Sequence, residues 1–365
     1  MKIRDLRCVE VSDKRSLPNG REVEIQMTLV KLLSDNGIEG FAFQSGKAGH
    51  LITRKFKHIV GEDVFAVERI WEKLYAETAS FPDRAMIIPI STVDLALWDL
   101  IGKSLEAPIY TLLGGYRKTV PVYADGDWDP AIEPPDVTFH RYVKDGYNAV
   151  KIHLHAEEIR DLDKCEALIK SIRAAIGEDT LLMVDAYRMW KPPQAIEGAK
   201  RLAKFNIFWL EEPVLYDDYV YGCARVRSST PIKIASGETA FTARVCRDLI
   251  EQSAIDLLQF DPHLGGGLTP YRKVAGLAEL YHISLAPHGA RWPETNSQIV
   301  AAFPNGFMIP EFPLICPICR TYRWPELYLD PITAKDSSIT LPDKPGFGLE
   351  LNEATIDEYA DQRFE

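Results

Sequence analysis

The sequence predicts an α/β protein, a modified (β/α)8 barrel of the (β/α)7β type with an N-terminal α+β capping domain. Three observations lead to this prediction. Eight short runs of β-branched and apolar residues recur between residues 120 and 311, at intervals of about 23 to 33 residues. The gaps between them hold amphipathic segments of helix length, and the first 115 residues lack this rhythm.

Residues 1–115 are predicted to form the capping domain. Residues 2–12 and 22–33 alternate or cluster apolar side chains as strands do, and a third strand is predicted at "GIEGFAFQ". The segment from about residue 63 to 114 has a helical pattern. Its clearest part is "STVDLALWDLIGKSL", where Ser91 or Thr92 is predicted to cap the start of a helix.

Residues 116–320 are predicted to form the barrel. Its strands are, in chain order, "VPVYA", "NAVKIHL", "LLMVDA", "IFWLE", "PIKIAS", "IDLLQF", "HISLA" and "FMIPE". Segments such as "DLDKCEALIKSIRAAIG" supply the helices between them. The last strand leaves too little chain for another barrel helix, so residues 321–365 are expected to return to the capping domain.

Composition narrows the class of function. The formal net charge of −11 disfavours binding to a polyanion, so no nucleic-acid partner is expected. The N-terminus lacks the apolar core of a signal peptide and no stretch is long enough to span a bilayer, which predicts a cytoplasmic protein without a membrane partner. The six scattered cysteines do not suggest a disulfide framework. Cys316 and Cys319 form a CxxC without a second pair, so a buried turn is favoured over a zinc site.

Acidic residues end three consecutive strands on the functional face of such a barrel, the carboxyl end of its strands. Asp185, Glu211 and Glu238 follow the third, fourth and fifth strands. Three unpaired carboxylates there would repel one another unless a divalent cation joined them, and an all-oxygen set favours Mg²⁺. One such acid alone is more often a helix cap or a surface ion-pair partner. Three in sequential register predict one Mg²⁺ site.

Basic residues flank the predicted metal site. In "YNAVKIHLHAEE", Lys151 and His153 share one face of the second strand, and His155 is expected in the loop beyond it. His288 ends the seventh strand, where a hydrogen bond to Asp261 at the end of the sixth would fix the tautomer of the imidazole. That arrangement makes a general base.

A divalent cation between bases suits the removal of a proton α to a carboxylate. Mg²⁺ can bind the carboxylate and stabilise the enediolate that forms. Glu311 ends the eighth strand and, if neutral, could donate a hydrogen bond to the same intermediate. His263 and Tyr187 either line the pocket or pack beneath it.

These residues and motifs resemble the enolase superfamily and, within it, the mandelate racemase subgroup. The resemblance extends over nearly the whole chain and rests on "ISTVDLALWDLIGK", "MVDAY", "WLEEP", "ASGET", "QFDPHLGGG", "APHGA" and "KPGFGLEL". It implies one Mg²⁺ on the three acids, a His288–Asp261 dyad and Glu311 near the substrate carboxylate. It also implies a homo-oligomer, either a dimer or an octamer.

One motif departs from the family pattern. Where many members carry KxK at the end of strand two, this chain has Lys151 followed after one residue by His153. Histidine is shorter and less basic, which disfavours racemisation because that reaction needs a competent base on each face. The sequence therefore predicts Mg²⁺-dependent dehydration of an acid sugar to a 2-keto-3-deoxy acid. The alternatives are a cycloisomerase, racemase or epimerase acting on a sugar lactone or 2-hydroxy acid, and a non-catalytic ligand-binding descendant.

Overall fold

The computed structural model describes residues 1–78 and 83–364 of the 365-residue chain. The strands are β1 (Ile3–Ser16), β2 (Glu22–Ser34), β3 (Glu39–Ser45), β4 (Thr119–Gly126), β5 (Ala149–His153), β6 (Leu181–Asp185), β7 (Ile207–Glu211), β8 (Lys233–Ser236), β9 (Leu257–Leu258), β10 (Ser284–Leu285), β11 (Ile309–Glu311), β12 (Ser338–Thr340) and β13 (Ala360–Phe364). The helices are α1 (Gly49–Phe56), α2 (Val67–Ala76), α3 (Arg84–Ser104), α4 (Ile109–Leu112), α5 (Pro135–Lys144), α6 (Ala156–Arg160), α7 (Leu162–Ile176), α8 (Pro192–Leu202), α9 (Tyr219–Arg227), α10 (Ala243–Glu251), α11 (Leu268–Leu280), α12 (Pro293–Ala302), α13 (Pro317–Tyr322) and α14 (Glu353–Tyr359).

The capping domain contains a four-stranded antiparallel sheet in the order β13-β1-β2-β3. β1 and β2 pair along their whole length, up to Ile3 opposite Ser34, and β3 pairs with the other edge of β2. The fourth strand comes from the C-terminal segment, where Phe364 pairs with Cys8. The chain after residue 321 therefore returns to the capping sheet after it leaves the barrel.

Helix α3 is longer than the sequence pattern suggested and is the core helix of the capping domain. It begins at Arg84, and the Asp83 carboxylate caps it by accepting a hydrogen bond from the Met86 backbone N–H. The prediction that Ser91 or Thr92 caps this helix is wrong, because both lie inside it and donate their hydroxyls to carbonyls one turn earlier. The expectation that no stretch is long enough to span a bilayer is wrong for this helix, which has the length and apolar character to do so, but 83% of that stretch is buried in the protein.

The barrel consists of eight parallel strands in the order β10-β9-β8-β7-β6-β5-β4-β11. A bridge between Leu285 and Gly306 joins the two edges of this curled sheet, and β12 pairs antiparallel with β4. Helices α5, α7, α8, α9, α10, α11 and α12 follow the first seven strands, and the short α6 precedes α7. The predicted fold class, a (β/α)7β barrel with a capping domain, is confirmed.

Strand alternation divides the barrel interior into an apolar layer and a polar layer. One buried apolar residue in each strand, or directly next to it, fills the barrel: Tyr123, Ala149, Met183, Trp209, Ala235, Leu257, Ala286 and Met308. Residues two positions apart on a strand share a face. Two positions further along the chain, toward the capping domain, six of the eight positions are polar: Asp125, Lys151, Asp185, Glu211, Gln259 and His288. The same alternation that builds the core thus places the polar groups above it.

Asp94 of α3 links the capping domain to the barrel. Its buried carboxylate accepts a hydrogen bond of 2.9 Å from the backbone N–H of Thr269, near the start of α11. Burial raises the pKa of Asp94 to about 7, and the hydrogen bonds from Thr269 only partly oppose that shift.

This shift predicts a pH dependence of stability. An acid whose pKa is raised on folding binds more protons in the folded state between about pH 4 and pH 7, so its contribution to stability is present at low pH and lost as the pH rises through 7. The free energy of unfolding of Asp94→Asn should therefore rise relative to that of the wild type by on the order of 2–4 kcal/mol as the pH rises from about 5 to 8. Urea unfolding at both pH values measures this difference. A difference that does not change with pH would contradict it.

Candidate active site

A cavity of about 490 Å³ lies between the capping domain and the carboxyl ends of the barrel strands. This volume falls in the range of small-molecule sites. The capping domain contributes Gln44 and Ser45 from β3, and Arg84 and Ile88 from α3. The barrel and the C-terminal segment supply most of the polar lining: Asp125, Asp127, His153, Tyr187, Glu238, Asp261, His263, His288, Arg291, Cys319 and Tyr322.

The structure divides the eight predicted site residues among three places. Four line the cavity: His153, Glu238, Asp261 and His288. Three are almost fully buried in the polar layer beneath it: Lys151, Asp185 and Glu211. The eighth, Glu311, lies elsewhere.

His288 is oriented by Asp261. Its Nδ1 lies 2.7 Å from Oδ2 of Asp261, and its Nε2 lies 3.3 Å from Oε2 of Glu238. Burial lowers the pKa of His288, but the charge of Glu238 and the hydrogen bond with Asp261 outweigh it and raise the pKa to about 9. Because Asp261 occupies Nδ1, Nε2 is the nitrogen that can exchange a proton with a ligand in the cavity.

His153 is held between two carboxylates. Its Nε2 lies 2.7 Å from Oδ1 of Asp125 and its Nδ1 lies 3.0 Å from Oδ2 of Asp185, while the Tyr187 ring stacks on it at 5.0 Å. Burial lowers the pKa of His153, but the charges and hydrogen bonds of both acids raise it to about 10. Asp125 ends the first barrel strand and was not among the predicted site residues. The rule that identified the others, applied to that strand, would have found it.

Lys151 neutralises the carboxylates beneath the cavity. Its Nζ lies 2.5 Å from Oε1 of Glu211 and 3.5 Å from Oδ1 of Asp125. Burial would lower the pKa of this lysine, but the charges of Asp125 and Glu211 hold it well above its usual range. Lys151 is therefore a buried cation that can act on a ligand by its charge. In this arrangement it does not line the cavity.

The three acids predicted to bind Mg²⁺ lie on adjacent strands, and each is paired with a cation of the chain. Asp185 and Glu211 stand opposite each other in the β6–β7 register, paired with His153 and Lys151. Glu238 forms ion pairs with Arg188 and with His288. Within residues 1–78 and 83–364, no three His, Cys, Asp or Glu side chains are gathered closely enough to hold a metal ion.

The donor set nevertheless fits Mg²⁺. The groups are hard anionic oxygens at the ends of three neighbouring strands, and each is buried and needs a positive charge beside it. Metal binding requires Arg188 to release Glu238 and His153 to release Asp185. Arg188 was not identified from the sequence. It lies in the loop after β6 with a φ of 59°, a conformation that no sequence pattern in that loop indicates.

Glu311 does not lie at the cavity, and its predicted contact with the substrate is corrected by the structure. Its carboxylate pairs with Arg323 at 3.1 Å and accepts a hydrogen bond of 2.9 Å from the Tyr147 hydroxyl. The physical reason is strand alternation: Met308 faces the barrel interior, so Ile309 and Glu311 face the opposite side. There Glu311 anchors the C-terminal segment.

The sequence left open whether Tyr187 and His263 line the pocket or pack beneath it. Both side chains line the cavity. His263 stacks on Trp292 at 4.7 Å. Neither of its ring nitrogens has a hydrogen-bond partner among the residues that the structure describes, although the Phe43 backbone lies close to the ring. Burial lowers the pKa of His263 to about 4, so the ring is neutral near pH 7. His155 lies in the loop beyond β5, as expected, and stacks on Trp128.

Cys316 and Cys319 are both buried, and Cys316 caps the short helix α13 by accepting a hydrogen bond from the Cys319 backbone N–H. The CxxC is thus the start of a helix instead of the predicted turn. The Cys319 thiol contacts the Asp125 carbonyl near the end of β4, and the Cys316 thiol contacts the Asp127 carbonyl just after that strand. No metal-ligand cluster involves this pair within the described parts of the chain.

A capped barrel with acids on three adjacent strand ends and an Asp-oriented histidine facing them defines an acid–base enzyme fold. Models of two protein families match this chain. The model described as "Mandelate racemase / muconate lactonizing enzyme, N-terminal domain" matches residues 13–114, and the one described as "Enolase C-terminal domain-like" matches residues 137–355. The chain belongs to the mandelate racemase/muconate lactonizing enzyme family of the enolase superfamily, so the resemblance noted in the sequence is confirmed.

Similarity to several named enzymes extends over most of the chain. An arabinonate dehydratase of Saccharolobus solfataricus is 30% identical over 82% of this chain and 80% of its own length. A D-galactarolactone cycloisomerase of Agrobacterium fabrum is 31% identical over 91% of this chain and 90% of its own. Among solved structures, an L-talarate dehydratase from Polaromonas sp. JS666, complexed with Mg and L-glucarate, matches with a TM-score of 0.84 and 26% identity, over 100% of this chain and 98% of that one.

Proposed function

We propose that this protein is a Mg²⁺-dependent enzyme that removes the proton α to a carboxylate and dehydrates an acid sugar to a 2-keto-3-deoxy acid. The observation that carries the proposal is the His288–Asp261 dyad, whose Nε2 faces Glu238 in a cavity above Asp185 and Glu211. The similarity to dehydratases and to a cycloisomerase supports the same chemistry.

Asp185, Glu211 and Glu238 would hold the metal. Bound there, Mg²⁺ would polarise the substrate carboxylate and stabilise the negative charge that develops when the α-proton leaves. Lys151 supports that stabilisation from below, because its buried ammonium adds positive charge to the same region.

His288 would be the base for the α-proton once a metal takes up the charge of Glu238, because that charge is the largest contribution that raises the pKa of His288 and keeps its imidazole protonated. Asp261 holds Nδ1 in its protonated tautomer and stabilises the imidazolium that forms when Nε2 accepts the proton. Loss of the β-hydroxyl then needs a proton donor. The same imidazolium of His288 can supply it. His153 is the second candidate, because its contact with Asp125 would keep it protonated after Asp185 turned to the metal.

Arg188 competes with the metal for Glu238, which yields a testable prediction. Arg188→Gln should tighten divalent-metal binding by about tenfold, because it removes a cation that must otherwise be displaced. Isothermal titration with Mg²⁺, and electron paramagnetic resonance with Mn²⁺, measure the affinity without reference to turnover. Arg54→Gln on the exposed end of α1 is the control. Equal or weaker binding by Arg188→Gln would exclude the competition.

A library of acid sugars assayed with Mg²⁺ tests the proposed reaction. The expected result is a 2-keto product, detected with semicarbazide, that no longer forms when the metal is removed with a chelator. The second candidate reaction, cycloisomerisation or epimerisation, is favoured by the similarity to the D-galactarolactone cycloisomerase. It would incorporate solvent deuterium at the α-carbon without loss of water. If no acid sugar gave either product, the remaining alternative would be a non-catalytic protein that binds a ligand.

Two further expectations belong to this proposal. A cytoplasmic location remains a prediction, and the burial of helix α3 argues only against its use as a membrane span. A homo-oligomer, either a dimer or an octamer, remains a prediction that sedimentation of the purified protein tests.

A further inference from the structure

The roof and the floor of the cavity have opposite electrostatic character. The floor carries carboxylates that are each matched by a cation of the chain, as with Glu238 and its partners Arg188 and His288. The roof carries two arginines, Arg84 and Arg291. Within residues 1–78 and 83–364, neither of these forms an ion pair with a carboxylate. The cavity therefore presents positive charge at the end facing the capping domain.

Arg291 is the more constrained of the two. It is partly buried, three residues beyond His288, and its Nη1 donates a hydrogen bond of 2.6 Å to the Ser45 hydroxyl at the end of β3. Its guanidinium lies 6.0 Å from the centre of the Tyr322 ring. Burial lowers the pKa of Arg291, and the Tyr322 hydroxyl opposes that shift only in part.

Comparison with the buried Arg173 shows why the surroundings of Arg291 are unusual for an arginine with a purely structural role. Arg173 also forms no ion pair with a carboxylate in the described parts of the chain, but it donates four hydrogen bonds to backbone carbonyls, two in the loop after α7 and two in the turn before β7. A guanidinium has five N–H donors. Arg291 uses one of them within the described parts of the chain, and it retains a charge that burial penalises. A ligand that supplies an anionic oxygen pair would satisfy both requirements.

We propose that Arg291, with Arg84 as a second arginine lining the same cavity, binds a second anionic group at the far end of the substrate. This inference rests on the proposed function, in which the reacting carboxylate lies at the opposite end, near Glu238 and His288. It assigns the substrate to acid sugars that carry an acidic group at both ends. A terminal carboxylate, as in a hexarate, and a terminal phosphate, as in a phosphorylated hexonate, share this chemistry. Neutral-ended hexonates lack it.

The test compares three substrate sets with Mg²⁺ present: hexarates, hexonates of the same stereochemistry, and 6-phosphohexonates. The wild type should favour one of the doubly acidic sets over the hexonates by about 100-fold in kcat/KM, because a site built for a charged group rejects the analogue that lacks it. Whichever of the two is preferred identifies the anion as carboxylate or phosphate.

The variants assign this preference to the arginine. Arg291→Gln keeps a donor for Ser45 and removes the charge, so the doubly-acidic-to-hexonate ratio of kcat/KM should fall by about 30- to 100-fold, mainly through KM. Arg291→Lys should recover part of it, and Arg54→Gln should leave the ratio as in the wild type. Circular dichroism establishes that each variant is folded.

The outcomes separate this inference from the proposed function. Equal use of hexonates and doubly acidic substrates by the wild type, or equal loss on both sets in Arg291→Gln, would overturn the assignment of Arg291 while leaving the dehydratase proposal intact. Absence of α-proton exchange and of keto product with every set would instead remove the proposed function on which the inference rests.

Discussion

Replacement of His288 by Asn is expected to lower turnover of the best acid-sugar substrate by more than about 100-fold. Asn can still reach Asp261 with its amide, but it has no basic nitrogen to take the place of Nε2. The loss should fall on kcat, because the proton transfer occurs in the transition state and the substrate can still bind.

A second histidine provides the matched control for this variant. His282 lies at the opposite end of the strand that carries His288, is exposed, and has a φ of 58°, which Asn accommodates readily. His282→Asn should therefore retain wild-type turnover. Near-normal turnover in His288→Asn would rule out His288 as the obligatory base.

Lys151→Met is expected to destabilise the metal-free protein by about 3–5 kcal/mol, because it leaves the Glu211 carboxylate buried without its cation and removes one of the two cations beside Asp125. Methionine preserves most of the volume of the lysine stem, so the cost reflects charge more than packing. Mg²⁺ should restore part of the lost stability, because it brings positive charge to Glu211.

Urea unfolding with and without Mg²⁺ measures both effects for Lys151→Met. Lys164→Met, which removes an exposed partner of Glu157, is the control and should unfold like the wild type. Stability unchanged in metal-free Lys151→Met would show that the carboxylates beneath the cavity do not depend on Lys151. An equal loss with and without Mg²⁺ would argue against a metal site at Glu211.

The sequence predicted the barrel because its strands are short, apolar and regularly spaced. The strands also follow a common pattern, in which an apolar residue that faces the barrel interior is followed two positions later by a polar one. This pattern is visible in runs such as "LLMVD" and "IFWLE". Glu311 escaped that rule. In "FMIPE" every residue before the acid is apolar, so the run does not reveal which face is interior. The C-terminal segment, which packs against the other face, decides it.

The partners of the site residues were harder to foresee. His153 was identified from the second strand, but its two contacts come from neighbouring strands, and the one on the first strand, Asp125, was not considered. Arg188 and Arg291 lie in loops after strands, where no periodicity indicates the direction of a side chain. Their contacts with Glu238 and Ser45 depend on the tertiary fold.

The most direct test of the central claim is proton exchange at the α-carbon of an acid-sugar substrate, followed by nuclear magnetic resonance in deuterium oxide. The account predicts α-proton loss, with formation of a keto product, that requires Mg²⁺, is abolished in His288→Asn and persists in His282→Asn. Exchange that proceeds equally without Mg²⁺ or without His288, or no exchange with any substrate that binds, would contradict it.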